Sequence, residues 1–280
     1  MGPMANLTYT LRSGRRVGVT TLGDADAERI VVFCHPAPGT SVFDPDPDAS
    51  ATRNVHIVAL DRPGYGSSDP VPYGEWPSIV RAADDIAEYL RSVVLAERSM
   101  GVRRVRTVGI AGWSEHTVLA AFQKAESDRL GGLAPAEAIQ QLSGQLQPQA
   151  DAVLAAAEPG DVPPEAVGAT AVDDAVLAQP GVRDRLGRML HDAFRQGTAG
   201  AAADILSYTA RSWGFEPGDV RAKTLIVGGQ GDAIAGNAHA AWYQKAVPDS
   251  RMEMVPGVGH LVIVPAWGRV LAHLAPNSTR

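Results

Sequence analysis

A serine stands where a predicted strand gives way to a predicted helix. The tripeptide Gly-Trp-Ser at residues 112–114 directly follows the apolar run 105–111 and precedes a helical pattern that begins at Thr117. A sharp strand-to-helix turn would lift the hydroxyl of Ser114 above a sheet and point the first helical N–H groups at a developing oxyanion. This context predicts Ser114 as a nucleophile, and the alternative is a serine that only caps the helix.

A serine nucleophile requires a base and a carboxylate that orients the base. His260 closes the glycine-rich loop 256–260 after the last predicted strand, from which an imidazole can reach across the edge of a sheet. Asp232 follows an earlier strand through the turn 228–231, whose glycines let the chain bend tightly. The chain order serine, aspartate, histidine differs from that of the other common serine-protease families. We therefore predict a triad of Ser114, His260 and Asp232, and the alternative is a surface-loop histidine and a turn aspartate.

Strand and helix signals alternate at both ends of the chain, and these elements must position the triad. The predicted strands are 7–10, 16–21, 30–34, 55–60, 105–111, 224–227 and 251–255, and the predicted helices are 80–100, 117–130, 237–247 and 266–274. The first two strands form a predicted hairpin with Ser13 and Gly14 at its turn. The alternation predicts an α/β fold with a mostly parallel central sheet and helices on both faces. Ligands in such sheets bind beyond the carboxyl ends of the strands.

The middle of the chain has a different character. Residues 131–214 are rich in alanine, glutamine, proline and acidic residues and show no strand pattern. They predict short helices that are broken at Pro148, Pro159, Pro163, Pro164 and Pro180. We therefore predict one domain, with a core formed by residues 1–130 and 215–280. The helical insertion 131–214, which we call the cap segment, is expected over the carboxyl edge of the sheet.

Together these motifs resemble those of the α/β-hydrolase fold family. The loop His35-Pro-Ala37-Pro-Gly at residues 35–39 is similar to the family's His-Gly-x-Pro-Gly oxyanion loop. The stretch Asp-Arg-Pro-Gly-Tyr-Gly-Ser-Ser at residues 61–68 is similar to its Asp-x-Pro-Gly-x-Gly-x-Ser turn. The resemblance runs nearly end to end outside the cap segment and is specific for the fold, not for the substrate. It implies an oxyanion hole made by the backbone N–H groups of Ala37 and Glu115.

The chain departs from the family pattern around the predicted nucleophile. His116 stands where the family has a glycine, Glu115 places a carboxylate beside the serine, and Pro36 replaces a glycine of the oxyanion loop. The sixth strand that the resemblance implies after Arg129 has no matching pattern. One interpretation is that Glu115 and His116 point to solvent or to a neighbouring helix. The other is that they reshape the pocket for a specialised substrate or mark a degraded elbow.

The predicted chemistry is acyl transfer to water from a small carboxylic ester or a related acyl compound. Candidate pocket residues are His35, Trp113, His116 and Trp213, together with Trp76, although a tryptophan in such a position is more often part of the core. No cofactor is expected, because the sequence has neither metal-spaced histidines and cysteines nor a phosphate-binding glycine loop. Two alternatives stay open: a non-hydrolytic lyase, cyclase or perhydrolase on this fold, and a non-catalytic binding protein.

Composition narrows the class of protein. The 280 residues are 45% hydrophobic and 20% charged, as in ordinary globular chains. With a net charge of −6 and no basic stripe, nucleic acid and anionic membranes are not expected partners. One cysteine excludes an intramolecular disulfide, and the sequence shows neither a signal peptide nor a membrane-spanning run. We expect a small-molecule substrate and a cytoplasmic location, and the sequence leaves a homo-oligomer open.

Overall fold

The computed structural model describes residues 5–97, 105–113 and 124–277, which contain seven strands and ten α-helices. The strands are β1 (Ala5–Thr10), β2 (Arg16–Gly23), β3 (Arg29–Cys34), β4 (His56–Leu60), β5 (Thr107–Gly112), β6 (Thr224–Gly229) and β7 (Ser250–Val255). The helices are α1 (Pro47–Thr52), α2 (Ile79–Tyr89), α3 (Leu95–Glu97), α4 (Lys124–Gly131), α5 (Pro135–Leu154), α6 (Asp174–Leu177), α7 (Val182–Phe194), α8 (Ala199–Thr209), α9 (Asn237–Ala246) and α10 (Ile263–Leu274). Every predicted strand is confirmed, with ends that differ by a few residues from the sequence pattern.

The strands form two sheets within the described ranges. Five strands pair in the order β1-β2-β4-β3-β5, where β1, β2 and β4 are antiparallel neighbours and β4, β3 and β5 run parallel. The parallel pair β6-β7 forms the second sheet, and no described strand bridges β5 and β6. β3 and β4 are buried on both faces, which their β-branched and aliphatic side chains allow. The missing match to a sixth strand therefore agrees with the structure, where residues 124–131 and 135–154 are helical.

The cap segment is built from helices, but one predicted break is wrong. α5 runs for 20 residues through Pro148, which was expected to end a helix. Proline there removes one hydrogen bond to the carbonyl of Gly144, and that glycine is exposed, so water can solvate the freed group. The buried residues Leu142 and Val153 lie before and after Pro148 in the helix, and their packing stabilises the helix on both sides of the proline. Prolines 159, 164 and 180 do lie between α-helices, as predicted.

The cap segment and the sheet share one hydrophobic core. The main cluster contains Phe33 of β3, Trp267 of α10 and, from α7, Met189 and Phe194. Trp267 is fully buried, meets Phe33 edge-to-face with ring centroids 5.1 Å apart, and donates its indole N–H to Ser50 Oγ at 2.9 Å. Because the two parts bury each other's apolar surface, they are expected to unfold together. Of the helices in the described ranges, none combines the length and the hydropathy that a membrane span needs.

Two glycines bring the cap segment into backbone contact with the core. Gly64, in the turn after β4, has a φ of +84°, and Gly200 lies in the first turn of α8. A Cβ atom on Gly200 would lie 2.4 Å from the carbonyl oxygen of Gly64, closer than atoms can approach. A side chain at either position would therefore push α8 away from the turn that follows β4.

We expect Gly200→Ala to destabilise the protein by about 1–3 kcal/mol, as overpacking of a closed contact does. The matched control is Gly144→Ala in α5, where an added Cβ meets nothing within 4 Å and a helical alanine gains about 0.5–1 kcal/mol. The measurement is the urea midpoint at constant m-value, which should fall for the first variant and hold or rise for the second. Equal midpoints for the two variants would show that the Gly64–Gly200 contact does not constrain the docking of α8.

Candidate active site

Two loops at the carboxyl ends of β6 and β7 bring Asp232 and His260 together. The imidazole Nδ1 of His260 lies 2.9 Å from Oδ2 of Asp232, and the two side chains are 2% and 5% exposed. The parallel register pairs Gly229 with Val255, so both loops leave the sheet at the same level. A Cβ on Gly229 would lie 2.1 Å from the carbonyl oxygen of Gly259. Glycine at position 229 is therefore what lets the two loops touch.

The carboxylate of Asp232 is held in its ionised form. Burial opposes the charge, but the hydrogen bond from His260 and those from two backbone amides outweigh it, and the pKa of Asp232 lies below its ordinary value. The amides belong to Ile234 and Ala235, which donate to Oδ1 at 2.8 and 3.0 Å. An ionised Asp232 accepts a hydrogen bond from the Nδ1–H of His260 and so leaves Nε2 of the ring as the basic nitrogen.

Trp113 connects the end of β5 to the loop that carries His260. Its indole N–H donates to the carbonyl oxygen of His260 at 3.1 Å, and its ring packs against Phe43 with centroids 5.3 Å apart. Trp113 is 5% exposed and lines a cavity of about 160 Å³ between β5 and α10. Trp113, predicted as a pocket wall, thus also links β5 to the loop 256–260 that carries His260, which we call the histidine loop.

The predicted oxyanion loop begins beside the end of β5. β3 and β5 stay paired to their last residues, Cys34 and Gly112, and the amide of Trp113 donates to the carbonyl oxygen of Cys34 at 3.3 Å. Ala37 is 1% exposed, and no described residue accepts a hydrogen bond from its amide. The position of Ala37 near the end of β5 is consistent with a backbone donor for an oxyanion.

The predicted nucleophile turn lies outside the described residues. Ser114, Glu115 and His116 fall in the range 114–123, so the nucleophile, the second oxyanion amide and the pocket role of His116 stay predictions from the sequence.

The structure places His35, which the sequence predicts as a pocket residue, in contacts within the protein. The residue has no exposed surface, and both of its ring nitrogens have partners within the protein. Nδ1 lies 2.8 Å from the carbonyl oxygen of Pro36, and Nε2 accepts the amide N–H of Arg62 at 3.1 Å. Burial first, and then the positive charge of Arg62, hold the pKa of His35 well below its ordinary value. The neutral ring connects the predicted oxyanion loop to the turn at residues 61–68.

Sequence reasoning missed a buried ion pair between that turn and the cap segment. The guanidinium of Arg62 donates to both carboxylate oxygens of Asp204 in α8, with a shortest distance of 2.6 Å. It also donates to the carbonyl oxygens of His35 and Pro36 at 2.6 and 3.0 Å. The side chains of the pair are only 11% and 9% exposed, so each charge depends on the other. No local pattern marks Arg62 or Asp204, because the two residues are 142 positions apart.

The structure separates two tryptophans from the histidine loop. Trp76 and Trp213 pack against a second cluster, formed by α4, α5 and α8, whereas Trp113 belongs to the main core. Trp213 donates its indole N–H to the carbonyl oxygen of Tyr208 at 3.0 Å, and Arg211 stacks 4.0 Å above the ring of Trp76. Both residues act in the packing of the cap segment, and their predicted contact with substrate stays untested.

A cavity of about 130 Å³ lies between α2 and α8. Its walls include Ile86 of α2, Tyr208 of α8 and the Arg62–Asp204 pair, and one end reaches Cys34. Because Cys34 ends β3 and Leu60 ends β4, the cavity reaches the carboxyl ends of these two strands. Within the described ranges, no three histidine, cysteine, aspartate or glutamate side chains are arranged so as to hold a metal ion.

Comparisons with known proteins identify the architecture. A model of the alpha/beta hydrolase family matches residues 31–273. An esterase from Exiguobacterium antarcticum superposes with a TM-score of 0.62 at 15% identity, covering 96% of this chain and 98% of that one. A thermophilic esterase from Thermogutta terrifontis gives 0.60 at 19%, with 97% and 96% covered, and an enol-lactonase from Burkholderia xenovorans LB400 gives 0.58 at 15%, with 96% and 99% covered. At these identities the likeness shows the fold alone, and no curated protein matches the sequence.

We expect Asp232→Asn to lower the free energy of unfolding at neutral pH and to lose this effect in acid. The pKa of Asp232 is lower in the folded protein than in the unfolded chain, so its ionised form stabilises the fold. That contribution is complete above about pH 4, the ordinary value, and disappears as the pH falls through the folded-state pKa.

Urea unfolding between pH 7 and the lowest pH at which the fold persists measures this effect. The control is Asp249→Asn, an exposed aspartate of the turn before β7, which should follow the native profile. A gap between Asp232→Asn and the native chain that stays constant below pH 4 would contradict the assigned ionisation.

Proposed function

This chain belongs to the α/β hydrolase family, and from that premise we propose that it is a serine hydrolase that cleaves a small carboxylic ester or a related acyl compound. The observation that carries the proposal is the buried hydrogen bond of 2.9 Å between His260 and Asp232. A desolvated imidazole whose Nδ1–H is held by a carboxylate presents Nε2 as a general base, which is the arrangement that activates a serine hydroxyl.

The proposed reaction proceeds through an acyl-enzyme. His260 removes the proton from Ser114 as the hydroxyl oxygen attacks the ester carbonyl, and Asp232 stabilises the imidazolium that results. The imidazolium then protonates the leaving alcohol as the tetrahedral intermediate collapses. In the second half, His260 takes a proton from water as the water oxygen attacks the acyl-serine carbonyl. The resulting imidazolium returns this proton to Ser114 Oγ as the C–Oγ bond breaks and the carboxylic acid is released. These steps use only side chains and backbone amides, so the proposal needs no cofactor.

The negative oxygen of each tetrahedral intermediate requires hydrogen-bond donors. The Ala37 amide, whose N–H has no acceptor among the described residues, supports its assignment as one donor, and the Glu115 amide is the second in this proposal. The Arg62 guanidinium donates to the carbonyl oxygens of His35 and Pro36, and the Arg62 amide donates to the ring of His35. These contacts fix the loop next to Ala37. A rigid loop favours catalysis, because preorganised donors do not have to reorient when charge develops.

We base the proposed size of the substrate on the cavity between α2 and α8. A dry cavity of about 150 Å³ can hold one benzene molecule, so a volume of about 130 Å³ suits an acyl or alkyl group of up to about six carbons. Its apolar wall residues, such as Leu60 and Ile86, favour an uncharged group, and the Arg62–Asp204 pair adds one polar contact. We propose that this cavity accepts one arm of a small ester, in keeping with the esterases among the structural neighbours.

The test is labelling by a fluorophosphonate probe combined with turnover of p-nitrophenyl acetate, butyrate and hexanoate. We expect Ser114→Ala to abolish labelling and turnover, and Asp232→Asn to lower kcat by about 10⁴-fold, because it loses the correct histidine tautomer. The control is Ser212→Ala, which removes an exposed serine of the cap segment and should label like the native chain.

Circular dichroism of each variant shows whether it is folded. A folded native chain that neither labels nor turns over any of the three esters would overturn the serine-hydrolase proposal. Equal labelling of the native chain and Ser114→Ala would move the nucleophile to another residue.

A further inference from the structure

A buried carboxylate of the cap segment holds the loop that carries His260. Asp173 ends the short turn Ala171–Asp173 and has no exposed surface. Its Oδ1 accepts the amide N–H groups of Gly259 and Leu261 at 2.9 and 3.2 Å, and its Oδ2 accepts that of His260 at 3.2 Å. Three consecutive amides of one loop therefore converge on a single side chain that is 86–88 residues earlier in the chain.

This carboxylate is compensated by the main chain. A buried carboxylate is tolerated only where donors replace its lost water, and charge-assisted bonds from amides are about twice as strong as neutral ones. A fourth amide, that of Thr170, donates to Oδ2 at 3.2 Å, and among the described residues no cation forms an ion pair with Asp173. The side chain makes no capping hydrogen bond to α6, the helix that follows it. The hydrogen bonds that the Asp173 side chain makes outside its own turn therefore go to the histidine loop.

The loop is shaped to receive this carboxylate. A Cβ on Gly259 would lie 2.5 Å from Oδ2 of Asp173, so only glycine lets the main chain come this close. On the other side, the carbonyl oxygen of His260 accepts the indole N–H of Trp113. The backbone of His260 is thus held at its N–H by the cap segment and at its C=O by the residue that precedes Ser114.

We propose that Asp173 is a positioning residue that fixes the backbone of His260, so that its imidazole meets Asp232 and presents Nε2 as the base. The inference rests on the proposed hydrolase function of that same site. It assigns the cap segment a part in catalysis beyond covering the substrate. A displacement of about 1 Å in a catalytic group can cost about a hundredfold in rate, so loss of these amide contacts should act on kcat.

The test compares Asp173→Asn with Asp174→Asn, the neighbouring exposed aspartate. Asparagine has the same shape but turns one acceptor into an NH₂ group that faces amide donors. We expect Asp173→Asn to lower kcat for a p-nitrophenyl ester by about 10- to 100-fold with KM nearly unchanged, whereas Asp174→Asn keeps both constants.

The second measurement is the proton NMR resonance of the His260 Nδ1–H, which is assigned by its loss in Asp232→Asn. A purely structural role of Asp173 would leave this resonance unchanged. We expect this downfield resonance to shift or disappear in folded Asp173→Asn and to persist in Asp174→Asn. A folded Asp173→Asn with native kcat and a native resonance would overturn the proposal. If the native chain shows no turnover, the proposed function fails, and the resonance still decides whether Asp173 positions His260.

Hydrogen exchange of the native protein is a further test, which does not require Asp173→Asn to fold. The amides of Gly259, His260 and Leu261 should exchange much more slowly than that of Gly257 in the exposed part of the same loop. Equal exchange at all four positions would show that Asp173 does not hold the loop, and the inference would be wrong.

Discussion

A carboxylate taken out of water must find hydrogen-bond donors, and three aspartates at the carboxyl edge of the sheets find them in the main chain of loops. Asp61 accepts the amides of Ser41 and Ser67 at 2.7 and 3.1 Å, and so joins the chain that follows the oxyanion loop to its own turn. Asp173 accepts three amides of the loop that carries His260, and Asp232 accepts two amides of its own loop as well as the imidazole of His260. Each buried charge therefore fixes a loop whose conformation short-range sequence preferences alone would leave open.

The cap segment is bound to this edge by three different kinds of contact. The glycine pair 64 and 200 brings two backbones together, the Arg62–Asp204 pair joins α8 to the oxyanion loop, and Asp173 joins the turn before α6 to the histidine loop. Apolar residues of α7 complete the core above the sheet. With these bonds to the loops of the proposed site, the cap segment is part of the scaffold of that site.

The opposite side of the site is formed by a sheet with a gap. β5 pairs only with β3, and β6 only with β7, within the described ranges. Val108 and Ile110 on β5 are 49% and 67% exposed, which is unusual for a strand in the middle of an α/β fold. The chain belongs to a family whose pattern implies a strand after Arg129, and here the described chain proceeds from α4 directly to α5. Trp113, α10 and the histidine loop connect the two sheets across this gap.

The amino-acid sequence by itself determined the order of the strands, the family and the pairing of a histidine with an aspartate in two loops. Hydrophobic periodicity and glycine-rich turns act over a few residues, so these features are visible locally. Tertiary structure alone decided which polar residues are buried and against what. The residue type of His35 suggested a pocket residue, but the side chain is buried and binds other parts of the protein. Pro148 does not end α5, because long-range packing outweighs one lost hydrogen bond. Asp173 and Asp204 gain their partners from residues 86 and 142 positions away, and no local pattern records a contact that only the folded chain creates.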